Sequence, residues 1–422
     1  MQLLITIIQI GVGILLVLLG GAKLLGMQQM KASFAHFGYP QWLRLVVGGV
    51  ELVGGLLLLG GVAVPLTIFF GAILLAIPLL GAMMSHMRLR EAAGLFPLLL
   101  LVLVAVLAWQ RPLGLQIMML PQQAEMVETL LPSETVVAHP FGEFLEGVQV
   151  APDGSIIYTN LLNMDFSQPS FAEVLASAHS EIVRVTPDGS SMLLATTPTG
   201  IVAAVPEWTE DGLYFSVAGS DETRGLWWLN GAGEFEQLAA IPDGVTLNGI
   251  VQGPNGRFYI ADSALGVIWR ADAATGTVER WIENSQLAPR TFVGLFPGAN
   301  GIEFWNGDFY VAVPDRGTIV RVPLLADDTA GEPIIHASGI SGDDFAIDSS
   351  GVLYVTTHPF NSVVKILPDG TLSKIAGEAE GVVGSTDAVL SPDEPALYVV
   401  GDGGIFEMRE DGEAKLVKLT LK

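Results

Sequence analysis

Four oxygen-bearing side chains recur at one place in a repeating unit of this chain: Glu146, Asn248, Asn300 and Asp343. Three of them stand eight positions before a turn glycine (146 to 154, 248 to 256, 343 to 351), and the unit led by Asn300 is one residue shorter. Equivalent positions of a closed repeat point at one axis. Two carboxylates and two amide carbonyls aimed at one point suit a hard divalent cation, because two negative charges neutralise it and two neutral oxygens add ligands. The bland alternative is that Asn and Asp before a strand only cap their own backbone. That explains any one leader well, and four together less well.

The chemistry such a site offers is metal-assisted hydrolysis. A bound dication polarises a carbonyl or phosphoryl oxygen and acidifies a water, and a nearby carboxylate takes the proton. Asp343 is the first choice for that base and Asp387 the second, with Glu146 mainly a ligand. His358, in the string Thr-Thr-His-Pro-Phe-Asn, has a place near the mouth and a pKa range suited to a proton shuttle. Its plainer reading is a solvated loop histidine. Trp208, Trp305 and Phe345 read as core rather than pocket wall. A Gly-rich phosphate loop, a serine elbow and a His/Cys metal cluster are all missing, and with no cysteine there is no thiolate chemistry or disulfide.

The elements that carry these residues are short β runs separated by Pro-Asp-Gly-like turns. Glu146-Gly-Val-Gln-Val-Ala-Pro-Asp-Gly matches Asn248-Gly-Ile-Val-Gln-Gly-Pro-Asn-Gly, and Asp343-Asp-Phe-Ala-Ile-Asp-Ser-Ser-Gly follows the same plan. A tyrosine marks each second strand (158, 214, 259, 310, 354, 398). Third strands follow at Ile182–Val185, Leu226–Leu229, Val267–Arg270, Ile319–Val322, Val363–Ile366 and Ile405–Met408. Leader-to-leader steps are 52, 43 and 44, and the step of 102 from Glu146 to Asn248 holds two units. Such periods indicate a β-propeller of six blades, led by Glu146, about Ala204, Asn248, Asn300, Asp343 and Asp387. Val136–His139 is placed to supply an outer strand to the last blade and close the ring.

The first third is different. Leu3–Ala22, Leu45–Val64, Pro65–Met84 and Ala92–Gln110 are predominantly apolar and near the length that spans a bilayer. Glycine pairs (48/49, 54/55, 60/61) suit close helix packing, Pro65 suits a first turn, and Pro78 would kink the third helix. Up to Leu120 there are six Lys/Arg against two acids, and the remainder holds 14 basic and 42 acidic residues. Lys23, Lys31 and Arg44 flank the first loop, while Arg88 and Arg90 occupy the third. The positive-inside bias therefore puts both loops in the cytoplasm and everything after Arg111 outside. With no basic residue before the first apolar run, a cleaved signal peptide is not expected. So acidic a domain repels nucleic acid and favours cations. Glu51, inside a span, is either a functional group, proton-linked or quinone-facing, or a carboxylate bonded across helices near Lys23.

Two resemblances add to this reading. Lys23, the Phe34–Pro40 loop, Gly48-Gly49, Glu51, Gly54-Gly55 and Gly81–His86 resemble the DoxX-like family over about residues 1–112. That implies an all-α transmembrane four-helix bundle of a kind sometimes associated with redox partners. Glu146-Gly, Asn248-Gly, Asn300-Gly-Ile and Asp343 with its strand ending at Asp348 resemble the gluconolactonase/senescence-marker/luciferin-regenerating family over residues 134–422. The implied fold is an all-β six-bladed propeller with one central divalent ion on Glu146, Asn248, Asn300 and Asp343, and Asp344 as an addition. Sugar-lactonase members place an arginine two residues before the second leader, where this chain has Thr246, and Asp-Gly at the fourth leader, where it has Asp343-Asp344. Thr246 and Asp344 are therefore expected to alter substrate binding, and an aldonic lactone is in doubt.

The expected organisation is thus a membrane bundle (1–112), a linker (113–133) and a propeller (134–422). The expected function is a membrane-anchored, metal-dependent hydrolase of lactones, esters or similar small electrophiles. The expected place is a bacterial inner or plasma membrane, with the propeller outside. Calcium is the first choice there, and Mg2+, Mn2+ and Zn2+ are its competitors. The alternative is a non-catalytic, metal-stabilised propeller that binds a ligand or acts as sensor for a redox or transport membrane subunit.

Overall fold

The computed structural model describes all residues except 1, 62–65, 110–122, 167, 169–170, 291–296, 407–411 and 422. It divides into two compact units, Met1–Met119 and Leu120–Lys422. Arg111, the 112/113 boundary, Pro65 and much of the expected linker lie outside the described residues.

In the first unit, α1 (Gln2–Leu24), α3 (Gln41–Gly60) and α4 (Leu66–Arg88) are long and apolar enough to cross a membrane. The last apolar helix, α5 (Leu95–Trp109), has 15 residues and follows a short 3-10 turn at Ala92–Gly94. It is shorter than the roughly 20 residues a full span needs. A further helix, α2 (Gln28–His36), precedes and overlaps the start of the expected Phe34–Pro40 loop. It buries no residue, so it carries no apolar stripe for a sequence pattern to reveal.

Glycine sets the spacing of α1 and α3. A Cβ on Gly20 would sit 2.6 Å from both the Gly48 carbonyl oxygen and the Leu52 nitrogen, so the two backbones touch there. Leu16, Leu58, Leu75 and Val104 fill the interior. Glu51, with a side chain only 7% exposed, is ion-paired to Lys23 Nζ at 2.6 Å. Glu91 accepts from His36 and His86, each at 2.7 Å. Both acids of this unit are thereby engaged.

The second unit is a six-bladed propeller. The innermost strands are Phe144–Val150, Ile201–Thr209, Leu247–Gln252, Ile302–Trp305, Phe345–Ile347 and Ser385–Leu390. Each touches the next, and the last returns to the first. Within each blade four strands run outward as antiparallel neighbours, and the fifth blade adds Val127–Glu128 as a parallel outermost strand. Large apolar side chains such as Tyr158, Phe215, Tyr259 and Phe309 are buried between the strands. Ser133–His139 pairs antiparallel with Ala414–Thr420 and forms the outermost strand of the last blade. The ring therefore closes by joining the start of the propeller to its end, as the Val136–His139 string suggested.

One strand moves from its expected place. The third strand of the last blade is Ala414–Thr420, and Ile405 and Phe406 are in a turn. The apolar string Ile405–Met408 imitated a strand, but its second half lies outside the described residues.

Candidate functional site

The leaders sit where the innermost strands depart from regular pairing. Register breaks between Leu145 and Val148, Ala203 and Pro206, Leu247 and Ile250, and Ser385 and Asp387. A bulge of this kind re-aims the side chain it carries, and here it brackets Glu146, Ala204, Asn248 and Thr386. The residue after three leaders is glycine for a packing reason. A Cβ on Gly249 would lie 2.5 Å from the Asn300 carbonyl oxygen, and one on Gly147 would lie 2.8 Å from that of Ala204. Gly301 meets Asp344 in the same way. Adjacent blades thus touch backbone to backbone at the axis, which the recurring Glu-Gly and Asn-Gly pairs permit.

Hydroxyls on the ring complete the junctions. Thr159 donates to Ala204 O at 2.5 Å, Ser216 donates to Asn248 O, and Ser263 donates to Ala299 O at 2.9 Å. Thr356 donates to Thr386 O at 2.8 Å, and Thr386 donates to Leu145 O at 2.7 Å. Between the fourth and fifth blades the Gly301 amide donates to Asp343 O at 2.9 Å instead. Each link fixes the main chain of a leader or its neighbour, so the scaffold under the site is rigid before any ligand arrives.

The four leaders are brought together as two amide–carboxylate pairs. Asn248 Nδ2 donates to Glu146 Oε1 at 3.3 Å, and Asn300 Nδ2 donates to Asp343 Oδ1. Asn300 Oδ1 also accepts from Ser263 at 3.0 Å. Burial pushes the Glu146 carboxyl up to about 7, against the opposing pull of His358. Burial likewise holds Asp343 well above the ordinary carboxylate range, with His358 lowering it and Glu146, Asp402 and Asp387 raising it further.

His358 is placed against this pair. Its Nδ1 lies 3.5 Å from Asp343 Oδ2, and its Nε2 lies 3.1 Å from Asp402 Oδ2, at ion-pair distance but without hydrogen-bond alignment. Asp402 is fully buried, and its Oδ1 accepts the Gly404 amide at 2.7 Å. Phe406 and Phe144 flank the imidazole, with ring centroids at 4.8 and 6.4 Å, and Phe166 packs at a tilt against Phe406. Phe166 belongs to the long connection that also carries a short helix, α6 (Phe171–Ser177), between the second and third strands of the first blade. Antiparallel pairing of Phe144 with Leu161 puts this connection at the same end of the blade as Glu146.

Other expected residues are distributed differently. Asp387 is 5% exposed and accepts the Val148 amide at 2.8 Å and the Ala388 amide at 2.6 Å, so it bridges the last blade to the first. Burial raises it to about 8. Asp344 has Asp387 and Glu303 as its principal charged neighbours, and burial holds it well above the ordinary range. It shares Asp387 with Asp343 but has Glu303 where Asp343 has Glu146, His358 and Asp402. Thr246 is fixed through its backbone: its amide donates to Asp262 at 3.2 Å and its carbonyl accepts from Ser263 at 2.8 Å. Trp208 and Trp305 are packed into blade cores and Phe345 is fully buried, as their core reading expects.

Three acids went unnoticed in the sequence. Glu207, raised by burial to about 7, accepts the Gln252 amide at 2.9 Å, and Glu303 is raised by burial and by Glu207 and Asp387. Asp402 had a legible signal. It follows its second strand (Ala396–Gly401) immediately, as His358 follows Leu353–Thr357 and Ser263 follows Phe258–Asp262. All three border the leaders.

Among the described residues, no three His, Asp or Glu side chains form a metal-binding group on their own. The quartet reaches four donors only by using its two amides.

Comparisons with known proteins agree with both halves. Residues 7–108 match the model of the DoxX-like family, so the helical unit is a DoxX-like domain. No curated protein matches the chain. Among solved structures, a luciferin-regenerating enzyme is similar with a TM-score of 0.50 at 12% identity, covering 69% of this chain and 95% of that one. A calcium-binding regucalcin from Agrobacterium tumefaciens gives 0.48 at 17% identity, covering 71% and 98%. A proposed gluconolactonase gives 0.49 at 14%, covering 71% and 97%. At such identities the likeness is one of fold: the chain joins a helical unit matching the DoxX-like family to a six-bladed propeller.

Proposed function

We propose that the propeller is a divalent-cation-dependent hydrolase of lactones, esters or similar small electrophiles, tethered to a membrane by the helical unit and facing away from the cytoplasm. The observation that carries this reading is the axial cluster itself. Glu146 and Asp343 are desolvated, repel one another and each lie beside a leader amide, while His358 contacts Asp343 on one side and Asp402 on the other. The donor set fits a hard dication: two carboxylates offset its charge, and Asn248 and Asn300 add neutral oxygens. Calcium is the first choice among divalent ions.

A bound ion would supply Lewis-acid polarisation of a carbonyl or phosphoryl oxygen. The rest is work for the chain. Asp343, its basicity raised by burial and neighbouring carboxylates, accepts a proton from the attacking water. His358 Nδ1 steadies the carboxyl and relays that proton toward the leaving group, with Asp402 behind Nε2 fixing the ring. Phe144, Phe166 and Phe406 form a dry, apolar wall beside the imidazole, which suits a substrate with a hydrocarbon body. Thr246, in place of a guanidinium, offers no planar cationic clamp for a polyhydroxylated sugar acid.

A panel of lactones and aryl esters, run with calcium and with a chelator, tests the proposal. Turnover should vanish with chelation, and Asp343→Asn should lower kcat by about 10²–10⁴-fold with the fold intact. Cation binding without turnover on any such substrate would instead leave a metal-stabilised binding or sensor module.

A further inference from the structure

The helical unit carries positive charge that nothing inside it balances. Residues 1–90 contain a single acid, Glu51, and Lys23 takes it at 2.6 Å. The next acid, Glu91, is bonded to His36 and His86. Arg44 is nevertheless 6% exposed. Its Nε donates to Gln41 Oε1 at 2.9 Å, while Nη1 is buried with no hydrogen-bond partner. Leaving a buried guanidinium partly unpaired is costly, and the cost falls when an anion arrives.

A second cation converges on the same place. A Cβ built on Gly26 would lie 3.4 Å from Lys31 Nζ and 3.6 Å from Arg44 Nη2, so both charged groups border the space over that glycine. Gly26 has φ of +69°, and any side chain there would enter this space. Gln41 ties the parts together: it accepts from Arg44 Nε and donates through Nε2 to Lys31 O at 3.1 Å. Among the described residues, neither Lys31 nor Arg44 has an acid within ion-pair distance.

We propose that Arg44 and Lys31, over Gly26, form a binding site for a phosphate group, and that the occupant is the headgroup of an anionic membrane lipid. The guanidinium supplies a planar donor pair and the ammonium a mobile point charge, a combination suited to phosphate oxygens. The lipid source follows from the surroundings. Leu25 is 86%, Met27 54% and Trp42 62% exposed, which is unfavourable in water and suited to the boundary where acyl chains meet headgroups. These residues stand at the end of α1 and the start of α3, where two membrane-length helices meet the loop. The proposal concerns the helical unit alone and does not depend on what the propeller does.

The test uses the full chain purified in detergent, with lipid retention read by native mass spectrometry. The probes are phosphatidylglycerol, phosphatidylcholine and inorganic phosphate. Wild type should prefer phosphatidylglycerol over phosphatidylcholine by about fivefold or more, the effect of roughly one favourable cation contact at a membrane surface. Arg44→Gln and, independently, Lys31→Gln should each remove the preference, Arg44→Lys should keep part of it, and Arg88→Gln should leave it intact. Lys31 is exposed, so its variant remains informative if Arg44→Gln does not fold. Equal retention of the two lipids by wild type, or an undiminished preference in Lys31→Gln, would overturn the site. Inorganic phosphate competing as well as phosphatidylglycerol would keep the anion site and overturn the lipid as its occupant.

Discussion

The two units treat buried charge in opposite ways. In the helical unit each acid has a cationic or imidazole partner at 2.6–2.7 Å, and what remains over is positive. Around the propeller axis, Glu146, Glu207, Glu303, Asp343, Asp344, Asp387 and Asp402 gather, and His358 is a basic group that faces Glu146, Asp343 and Asp402. Pairing inside a bilayer removes a charge that has no solvent to turn to. Crowding like charges at an axis does the reverse: it holds protons on carboxylates, or it waits for a cation. In the bundle the acids are neutralised from within and a positive surplus is left, whereas in the channel the acids outnumber their basic neighbours.

Breaking the pairing in the bundle should have the largest effect. Lys23→Ala leaves Glu51 without its partner and should destabilise the helical unit by about 3–5 kcal/mol, measured by denaturation in mixed micelles. The double variant Lys23→Ala/Glu51→Gln removes the stranded charge and should cost less than Lys23→Ala alone, so equal losses would mean that the pair is not what matters.

In the channel the corresponding experiment is a pH series. Glu207 holds its proton up to about 7 when folded, against an ordinary value of 4.5. Folding therefore takes up a proton between these values, and the associated stability is present below about 4.5 and lost as pH rises through about 7. Glu207→Gln should remove this component, on the order of 3 kcal/mol between pH 4 and 8, without a cation present. Parallel stability profiles for variant and wild type would show that Glu207 ionises freely. A smaller loss is expected from Thr386→Val, which deletes one interblade hydroxyl link and should cost about 1–3 kcal/mol while leaving cation binding unchanged.

The same contrast explains what the sequence made legible. Repetition revealed the leaders, since a constant offset to the turn glycine fixes equivalent positions in different blades. It could not reveal the bulges that bracket Glu146 and Asn248, or that the glycine after three leaders exists for interblade contact, because both are set by neighbouring strands. Glu207 and Glu303 escaped because they stand inside inner strands, where a lone acid looks like an outward-facing polar residue. Asp402 and His358 come from consecutive blades and meet only when the sixth blade packs on the fifth. In the bundle, apolar length disclosed the membrane helices, but α2 buries nothing and so carries no periodic signal. Gly26, Lys31, Gln41 and Arg44 are brought together by the loop that α2 fills.

The central claim is that the axial quartet holds a divalent cation, and calcium titration followed by thermal unfolding tests it most directly. With free calcium at about one hundred times its Kd, the wild-type propeller should gain about 2.7 kcal/mol. Asn300→Ala and Asp343→Ala should each lose most of that gain, and Asp344→Asn should keep it. Equal stabilisation of wild type and both quartet variants, or none in wild type at any calcium concentration, would contradict the account.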